Sequence, residues 1–305
     1  MQLKGPVIDD RGLLLKRRVS DVQVEADVFH SSYYRVSTKA RANVVTIHDL
    51  MNELFPRHGR DWVLLQLKKR ACRRAKAIVV VSETTKDSLL EHYPFVDPER
   101  VHVVYNGVDK VFFPDPQDDT FEVAGQALSP RGYLLYVGTR GYCKNFPFVL
   151  EVMAEARQQG LDLPLVIVGG GPLSARERAK VRDLGLDEDR MLQLSALSDA
   201  QLRVLYSNCL TLLIPSIYEG FGLPAAEAAR CGALVLTAKG SALTEIVGET
   251  EFAFDLSRTG EAARVLSLGL DSPYAEDERG RMRNRSVMFD WDRSVAQLQE
   301  IYHGL

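Results

Sequence analysis

The stretch Pro215–Leu236, PSIYEGFGLPAAEAARCGALVL, constrains the fold of this 305-residue chain more than any other part of the sequence. An apolar run, Leu210–Ile214, leads into it, and a helical pattern opens at Pro224 and stops at Gly232. Proline suits the first turn of a helix, and glycine is common where a helix ends. The sequence therefore predicts a strand, a glycine-rich turn, a helix and a second strand, as in an α/β sheet.

The turn itself, Glu219-Gly220-Phe221-Gly222-Leu223, has the features of a ligand site. Its glycines let the backbone approach a ligand closely, and the N–H groups at the helix start favour an anion such as phosphate. Glu219 on the turn and Glu227 in the helix offer carboxylate oxygens to hydroxyl groups. This combination predicts a sugar-nucleotide site. The simpler interpretation is an ordinary strand–helix turn with solvated glutamates.

A second loop of the same kind, Gly138–Asn145, follows the apolar run Tyr133–Val137. It carries two cations, Arg140 and Lys144, at the carboxyl end of a predicted strand. Cations there suit a diphosphate, because their charge becomes more valuable as a leaving nucleotide gathers negative charge. A charged surface loop is the alternative interpretation.

His48 directly follows another predicted strand, the β-branched run Val44–Ile47. In doubly wound sheets ligands bind at the carboxyl ends of the strands, so His48 stands where chemistry is expected. A structural role for this histidine remains open.

The spacing of Glu219 and Glu227 around GFGLP resembles the E-x7-E signature of retaining glycosyltransferases of family four, which have the GT-B fold. Other segments also resemble that family: TIHDL at 46–50, NGVD at 106–109, GGGP at 169–172 and the loop SALTEIVG at 241–248, with threonine in place of proline. The resemblance implies that Glu219 meets the donor sugar and Glu227 the ribose.

The resemblance also implies roles for other residues. It places His48 near the donor sugar, and His30 as a weaker candidate, and it makes Lys144 and Arg140 the diphosphate cations. Thr139 stands where the commonest family pattern has arginine, so Lys144 is the stronger of the two. The remaining donor-binding candidates are Gly138, Leu197, Gly220, Phe221, Gly222 and Leu223.

The fold implied by the resemblance is α/β, with two Rossmann-like doubly wound parallel-sheet domains facing a cleft. We expect an acceptor-side domain at 1–127, a nucleotide-sugar-binding domain at 128–285, and a helix at 286–305 that returns to the first domain. Phe113–Arg131, rich in Pro and Asp, is the predicted interdomain linker. Nothing before Asp27 matches the strand, glycine-rich loop and long helix with which family members begin, so the first domain is expected to lack its initial elements.

Composition bounds the function further. Apolar residues make up 46% of the chain, charged residues 26%, and the net charge is −3, which predicts a soluble globular protein without a nucleic-acid partner. Scattered cysteines favour a reducing cytosolic compartment. The acidic pairs Asp9-Asp10 and Asp118-Asp119 lie in segments without periodicity, so we expect no metal and no cofactor beyond the donor.

Asp61–Lys76, DWVLLQLKKRACRRAK, is a predicted basic helix with two interpretations. A basic amphipathic helix can lie on anionic lipid, which would add peripheral contact at the inner face of the membrane. A solvated helix face is the favoured reading.

These expectations combine into a retaining hexosyltransferase acting in cell-surface polysaccharide assembly, for example of lipopolysaccharide. The donor is a nucleoside diphosphate sugar, with GDP-mannose favoured over UDP-sugars, and the acceptor is a saccharide or a lipid-linked acceptor. The rival is a non-catalytic nucleotide-sugar-binding or accessory subunit, suggested by the missing initial elements. An epimerase or phosphorylase of the same architecture is a third candidate.

Overall fold

The structure, a computed structural model, describes residues 21–56, 59–268 and 273–305. The first domain is built on a four-stranded sheet whose strands pair in parallel in the order β1-β2-β3-β4. These strands are β1 (Val28–Ser31), β2 (Ala42–Ile47), β3 (Ala77–Val80) and β4 (Val101–Val103). Three helices connect them: α1 (Met51–Leu54), α2 (Gly59–Arg74) and α3 (Glu83–His92).

The segment predicted as a linker contains an antiparallel hairpin, formed by β5 (Phe121–Val123) and β6 (Gln126–Leu128). Its two turn residues, Ala124 and Gly125, both have positive φ angles, of 51° and 75°, as a tight two-residue hairpin turn requires. Buried apolar side chains of both strands join the core of the second domain. The boundary predicted between residues 127 and 128 therefore falls inside a unit that packs with the second domain.

The second domain is built on a six-stranded parallel sheet in the order β12-β11-β10-β7-β8-β9. Its strands are β7 (Leu134–Val137), β8 (Leu165–Val168), β9 (Met191–Leu194), β10 (Thr211–Ile214), β11 (Val235–Ala238) and β12 (Ala253–Phe254). The chain runs outward from β7 to β9 and then returns to the other side of β7 as β10. The loops after β7 and β10 therefore flank the point where the winding reverses, which is where open α/β sheets bind ligands.

Two helices of this domain begin with capping residues that are visible in the sequence. The helices of the domain are α4 (Phe146–Gln158), α5 (Ala175–Asp183), α6 (Asp199–Asn208), α7 (Leu223–Arg230), α8 (Ala242–Val247), α9 (Thr259–Leu268) and α10 (Pro273–Ser286). Ser174 and Ser198 begin α5 and α6 with complete capping boxes. The segment expected to form the SALTEIVG loop is instead the helix α8, because it buries Leu243, Ile246 and Val247 in the core.

The last helix, α11 (Trp291–His303), belongs to the first domain. Its Leu298 and Ile301 pack on the face of the first sheet that contains Val44 and Val79. Gly107 lies so close to this helix that a Cβ atom there would be 2.3 Å from the backbone nitrogen of Trp291. The chain thus passes from the first domain to the second and back again.

Candidate active site

The two loops at the winding reversal are joined by an ion pair. The Nζ of Lys144, after β7, lies 2.6 Å from Oε1 of Glu219, after β10. The hydroxyl of Ser216 donates to the same oxygen at 2.7 Å, and the N–H of Ile217 donates to the carbonyl of Cys143 at 2.8 Å. Both charged side chains keep some contact with solvent, with exposed fractions of 25% and 11%. The structure therefore brings together two of the predicted site residues and leaves them accessible.

The Glu219 loop also touches the first domain. A Cβ atom on Gly220 would lie 1.9 Å from the carbonyl oxygen of His48, so only glycine fits here. The carbonyl of Gly220 accepts hydrogen bonds from the hydroxyls of Ser82 and Thr85, at 2.6 and 3.0 Å. His48 itself is exposed. The predicted histidine thus stands beside the Glu219 loop, where a substrate between the domains could reach it.

A second contact between the domains lies one residue before Glu219. The hydroxyl of Tyr218 accepts a hydrogen bond from the N–H of Leu50 at 3.2 Å. Tyr218 is buried among apolar residues of the first domain, although it belongs to the second. The turn after β2, which carries His48, is therefore attached to the loop that carries Glu219.

Helix α7 begins four residues beyond Glu219. Gly222 precedes it with a φ of 100°, a left-handed conformation that favours glycine, and a Cβ there would lie 2.5 Å from a methyl carbon of Leu243. Phe221 is buried, whereas Leu223 is 38% exposed. The first N–H groups of a helix attract anions, so this helix start adds to the positive charge of Lys144.

Glu227 lies within α7 and faces α6. The hydroxyl of Tyr206 donates to its Oε2 at 3.0 Å. The pKa of Glu227 is raised from 4.5 to about 7, chiefly by burial and to a smaller extent by the charge of Asp199, whereas the Tyr206 hydrogen bond opposes the shift. A half-buried carboxylate can accept hydrogen bonds from ligand hydroxyls, as the predicted ribose contact requires.

Arg140 does not point at the Lys144–Glu219 pair. Its Nε lies 2.7 Å from Oε1 of Glu177, and its other two nitrogens donate to the carbonyls of Gly169, Gly170 and Pro172 at 2.7 to 3.0 Å. The side chain is only 6% exposed. This geometry does not support the prediction that Arg140 neutralises a diphosphate, because its guanidinium holds the glycine-rich turn after β8.

The other predicted residues fall into two groups. Gly138 ends β7 with a φ of 140°, and Leu197 packs at the edge of the core beyond β9. Both stand at carboxyl ends of strands in the second sheet. His30 is half-buried in the first domain, where its ring is hydrogen-bonded to the hydroxyls of Tyr302 and Thr46. Burial, with a smaller effect of His48, lowers the pKa of His30 to about 4, and these contacts indicate a structural residue.

Most of the cationic side chains of the basic helix α2 contact other residues of the protein. Lys68 is buried with Glu53, Arg70 and Arg74 pair with Asp21, and the guanidinium of Arg73 lies 4.5 Å from the ring centre of Phe95. These pairings favour the interpretation as an ordinary helix face. Within the parts of the chain that the structure describes, none of the helices combines the length and the apolar character needed to cross a bilayer.

The described residues contain no cluster of three or more His, Cys, Asp or Glu side chains that could hold a metal ion. Asp118 and Asp119 belong to this part, whereas Asp9 and Asp10 lie outside it. The absence of a metal requirement therefore stays a prediction.

Sequence reasoning missed Glu245, which links the domains from the helix α8. Its carboxylate accepts hydrogen bonds from the N–H groups of Glu83 and Thr84 at 2.9 and 2.7 Å, and from the hydroxyl of Tyr105 at 3.1 Å. A carboxylate at a helix start is favourable, and here it comes from the other domain. The SALTE segment contains Glu245, but only the packing of α8 on α3 shows its target.

Comparison with known proteins agrees with this geometry. The family model described as "Glycosyl transferases group 1" matches residues 117–286, and that described as "Glycosyltransferase Family 4" matches residues 10–112. The two matches divide the chain between β4 and the hairpin.

Two curated relatives illustrate the likeness. O-antigen chain mannosyltransferase B of Escherichia coli is 24% identical over 283 residues, which are 90% of this chain and 74% of that protein. The MMP alpha-(1->4)-mannosyltransferase of Mycolicibacterium hassiacum is 29% identical over 252 residues, 80% of this chain and 58% of that protein. The chain therefore spans between roughly half and three quarters of such relatives' length.

The crystal structure of Anabaena HepE in complex with UDP and glucose superposes with a TM-score of 0.70 at 19% identity, covering 87% of this chain and 72% of that one. This likeness shows the fold. Together with the family matches and the paired parallel sheets, it leads to one conclusion: the chain belongs to the glycosyl transferases group 1 family, the retaining glycosyltransferases with the GT-B fold.

Proposed function

We propose that this protein transfers a sugar from a nucleoside diphosphate sugar to a saccharide or lipid-linked acceptor, with retention of configuration. The observation that carries the proposal is the Lys144–Glu219 pair, 2.6 Å apart at the winding reversal of the second sheet. Glu219 lies on the loop that contacts the His48 turn of the first domain, so the groups needed for donor and acceptor chemistry meet at one place.

Charge stabilisation is the main contribution of the second domain. Lys144 and the start of α7 neutralise the diphosphate as it leaves, and such preorganised charges are most effective where water is limited. Glu219 accepts hydrogen bonds from donor-sugar hydroxyls, which compete with Lys144 for its oxygens. Glu227 accepts from the ribose, as the family resemblance implies.

The first domain completes the site with His48. Its side chain is exposed beside the Glu219 loop and would contact the donor sugar when both domains enclose it. Retention follows when the departing phosphate guides the acceptor hydroxyl to the same face of the sugar. In this scheme the proton of the acceptor passes to the leaving phosphate, and the protein supplies orientation and charge.

For the donor we favour GDP-mannose, and for the process cell-surface polysaccharide assembly. Support comes from the mannosyltransferase names of the two relatives. A UDP-sugar is the second choice, supported by the UDP-bound neighbour of the same fold. All four cysteines are buried thiols, which fits a reducing compartment such as the cytosol.

A second candidate is a nucleotide-sugar-binding subunit without catalysis of its own. It is favoured by one observation, the position of Lys144, Glu219 and Glu227, which all lie in the second domain. The proposed donor contacts are therefore mostly independent of the first domain, so donor binding does not by itself require catalysis.

One experiment separates these candidates. Thermal stabilisation is measured with GDP-mannose, UDP-glucose, ADP-glucose and dTDP-glucose, and mass spectrometry then follows loss of the donor that stabilises most. We expect GDP-mannose to raise Tm and to be consumed, with release of GDP as the mannosyl group passes to an added saccharide acceptor or, more slowly, to water. Stabilisation without consumption supports the binding subunit, and no stabilisation by any donor contradicts both candidates. The variant combining Lys144→Met with Glu219→Gln serves as the site-directed control.

A further inference from the structure

Lys68 is fully buried, although it lies in the most basic helix of the chain. Its Nζ lies 2.8 Å from Oε2 of Glu53, which is itself only 4% exposed. The other oxygen of Glu53 accepts a hydrogen bond from the hydroxyl of Tyr93 at 2.6 Å. Removing two charges from water is costly, and a buried pair often contributes little net stability. The arrangement therefore calls for an explanation other than stability.

That explanation lies in the third partner of the ammonium. Lys68 also donates a hydrogen bond to the carbonyl oxygen of Asp49, at 2.9 Å. Asp49 directly follows His48 and lies at the carboxyl end of β2. The buried lysine thus reaches from the core of the first domain to the backbone of the His48 turn.

The carbonyl of Asp49 and the N–H of Leu50 belong to the same peptide group. This group is trans, since the described residues contain no cis peptide bond, and its C=O and N–H therefore point in opposite directions. The carbonyl accepts from Lys68 on one side, and the N–H donates to the hydroxyl of Tyr218 on the other. One planar unit is therefore held from both domains at once.

The orientation of this peptide decides where His48 stands. The carbonyl oxygen of His48 lies against Gly220, with no room for a side chain between them. A rotation of the Asp49–Leu50 peptide would break the Tyr218 hydrogen bond and move His48 relative to Glu219. Catalytic groups must keep their geometry closely, and small displacements reduce turnover strongly.

We propose that Lys68 is a positioning residue, which orients the Asp49–Leu50 peptide and thereby holds His48 in register with the Glu219 loop. The inference rests on the proposed transferase function and deepens it by assigning a role to a residue remote from the substrate. Lys68 acts through the backbone, and Tyr218 is its counterpart in the second domain.

The test uses two variants, each of which removes one of the two hydrogen bonds that hold the Asp49–Leu50 peptide. The double variant Lys68→Met with Glu53→Gln removes the ammonium and the carboxylate together, because either charge alone would be left buried without its partner. Tyr218→Phe removes only the hydroxyl that accepts from Leu50. Lys76→Met is the matched control, since this exposed lysine stands just beyond the same helix.

Three quantities are measured on the full chain: the Kd for GDP, the rate of GDP-mannose consumption, and the imidazole resonance of His48 by NMR, assigned by its loss in His48→Gln. We expect both variants to bind GDP within about twofold of the wild type and to lose at least about tenfold in kcat. We also expect the His48 resonance to move in both, and the Lys76→Met protein to match the wild type in all three.

An unchanged His48 resonance and kcat in either folded variant would overturn the proposal. Equal losses in GDP affinity and kcat would do so as well, because they would indicate general damage. Should the double variant not fold, Tyr218→Phe decides alone. If the wild type consumes no donor, the proposed function fails, whereas the His48 resonance still tests the positioning role.

Discussion

Lys144 and Glu219 form an ion pair of 2.6 Å between loops that are 75 residues apart in sequence. The pair connects the ends of two neighbouring strands, β7 and β10, on either side of the winding reversal. Each member holds the other in a defined orientation. In the proposed mechanism a bound donor would replace this contact by two others, phosphate for the ammonium and sugar hydroxyls for the carboxylate.

Lys144→Met should weaken GDP binding by about tenfold or more, because a charge-assisted hydrogen bond is lost while the methylene stem is kept. Calorimetric titration with GDP measures the change. Lys180→Met is the matched control, since its Nζ also lies 2.6 Å from a glutamate, Glu151, elsewhere on the same domain. Equal affinities in the Lys144 variant and the control would remove Lys144 from the diphosphate site.

Glu227→Gln should raise stability and lower nucleotide affinity. The folded pKa of about 7 lies above the ordinary 4.5, so the wild type loses stability as the pH rises through this interval. At pH 8 the variant should exceed the wild type by up to about 3 kcal/mol in free energy of unfolding, and the difference should vanish below the ordinary pKa. Urea unfolding at several pH values measures it.

The binding half of this prediction is measured separately. The neutral amide accepts hydrogen bonds from ribose less strongly than the carboxylate, so affinity for GDP should fall by about tenfold. Glu122→Gln, at an exposed position on β5, is the control for a lost surface charge. A variant that gains stability and retains full GDP affinity would contradict the ribose assignment.

Arg140→Met should reduce stability and leave nucleotide binding intact. The guanidinium is buried against Glu177 and three backbone carbonyls, so its removal should cost roughly 3 kcal/mol in free energy of unfolding. Thermal and urea unfolding measure the loss, with the exposed Arg176→Met as control. Normal stability combined with weaker GDP binding would instead restore the role that the sequence predicted for Arg140.

Some features of this site are visible in the sequence because they depend on residues that mark the ends of helices and strands. Pro224 and Gly232 mark the ends of one helix, and the glutamates at 219 and 227 stand out between them. The strand before each loop is equally plain from its apolar residues. These signals are enough to predict both loops and the strands that lead into them.

Other features depend on partners far away along the chain. The direction of Arg140 is set by carbonyls near residue 170, and the burial of Lys68 by Glu53. Lys68 also stands in a run of similar cations, LKKRACRR, where periodicity does not distinguish a buried lysine from a solvated one. The hairpin at 121–128 was missed because Ala124 adopts a positive φ, which alanine does not signal.

His30→Gln should make the free energy of unfolding depend less on pH between about pH 4 and 6.5. The pKa of the half-buried His30 is lowered from 6.5 to about 4 in the folded protein, so between these values the unfolded chain binds a proton that the folded chain does not. The free energy of unfolding of the wild type therefore falls by up to about 3 kcal/mol as the pH falls through this interval.

The measurement is the difference in unfolding free energy between His30→Gln and the wild type at pH 4 to 7. His303→Gln, at an exposed position on α11, is the control. A pH slope identical to that of the wild type would show that His30 is not the buried neutral group. Comparing variant with wild type cancels the opposite slope that Glu227 contributes.

The packing of α11 on the first sheet has a consequence for synthesis on the ribosome. Val44, Ala77 and Val79 form an apolar face that is covered by Leu298, Ile301 and Tyr302. Those covering residues are translated only after the whole second domain. Domains generally fold as units in the order of their synthesis, but here the first domain acquires α11 after the second domain has been translated.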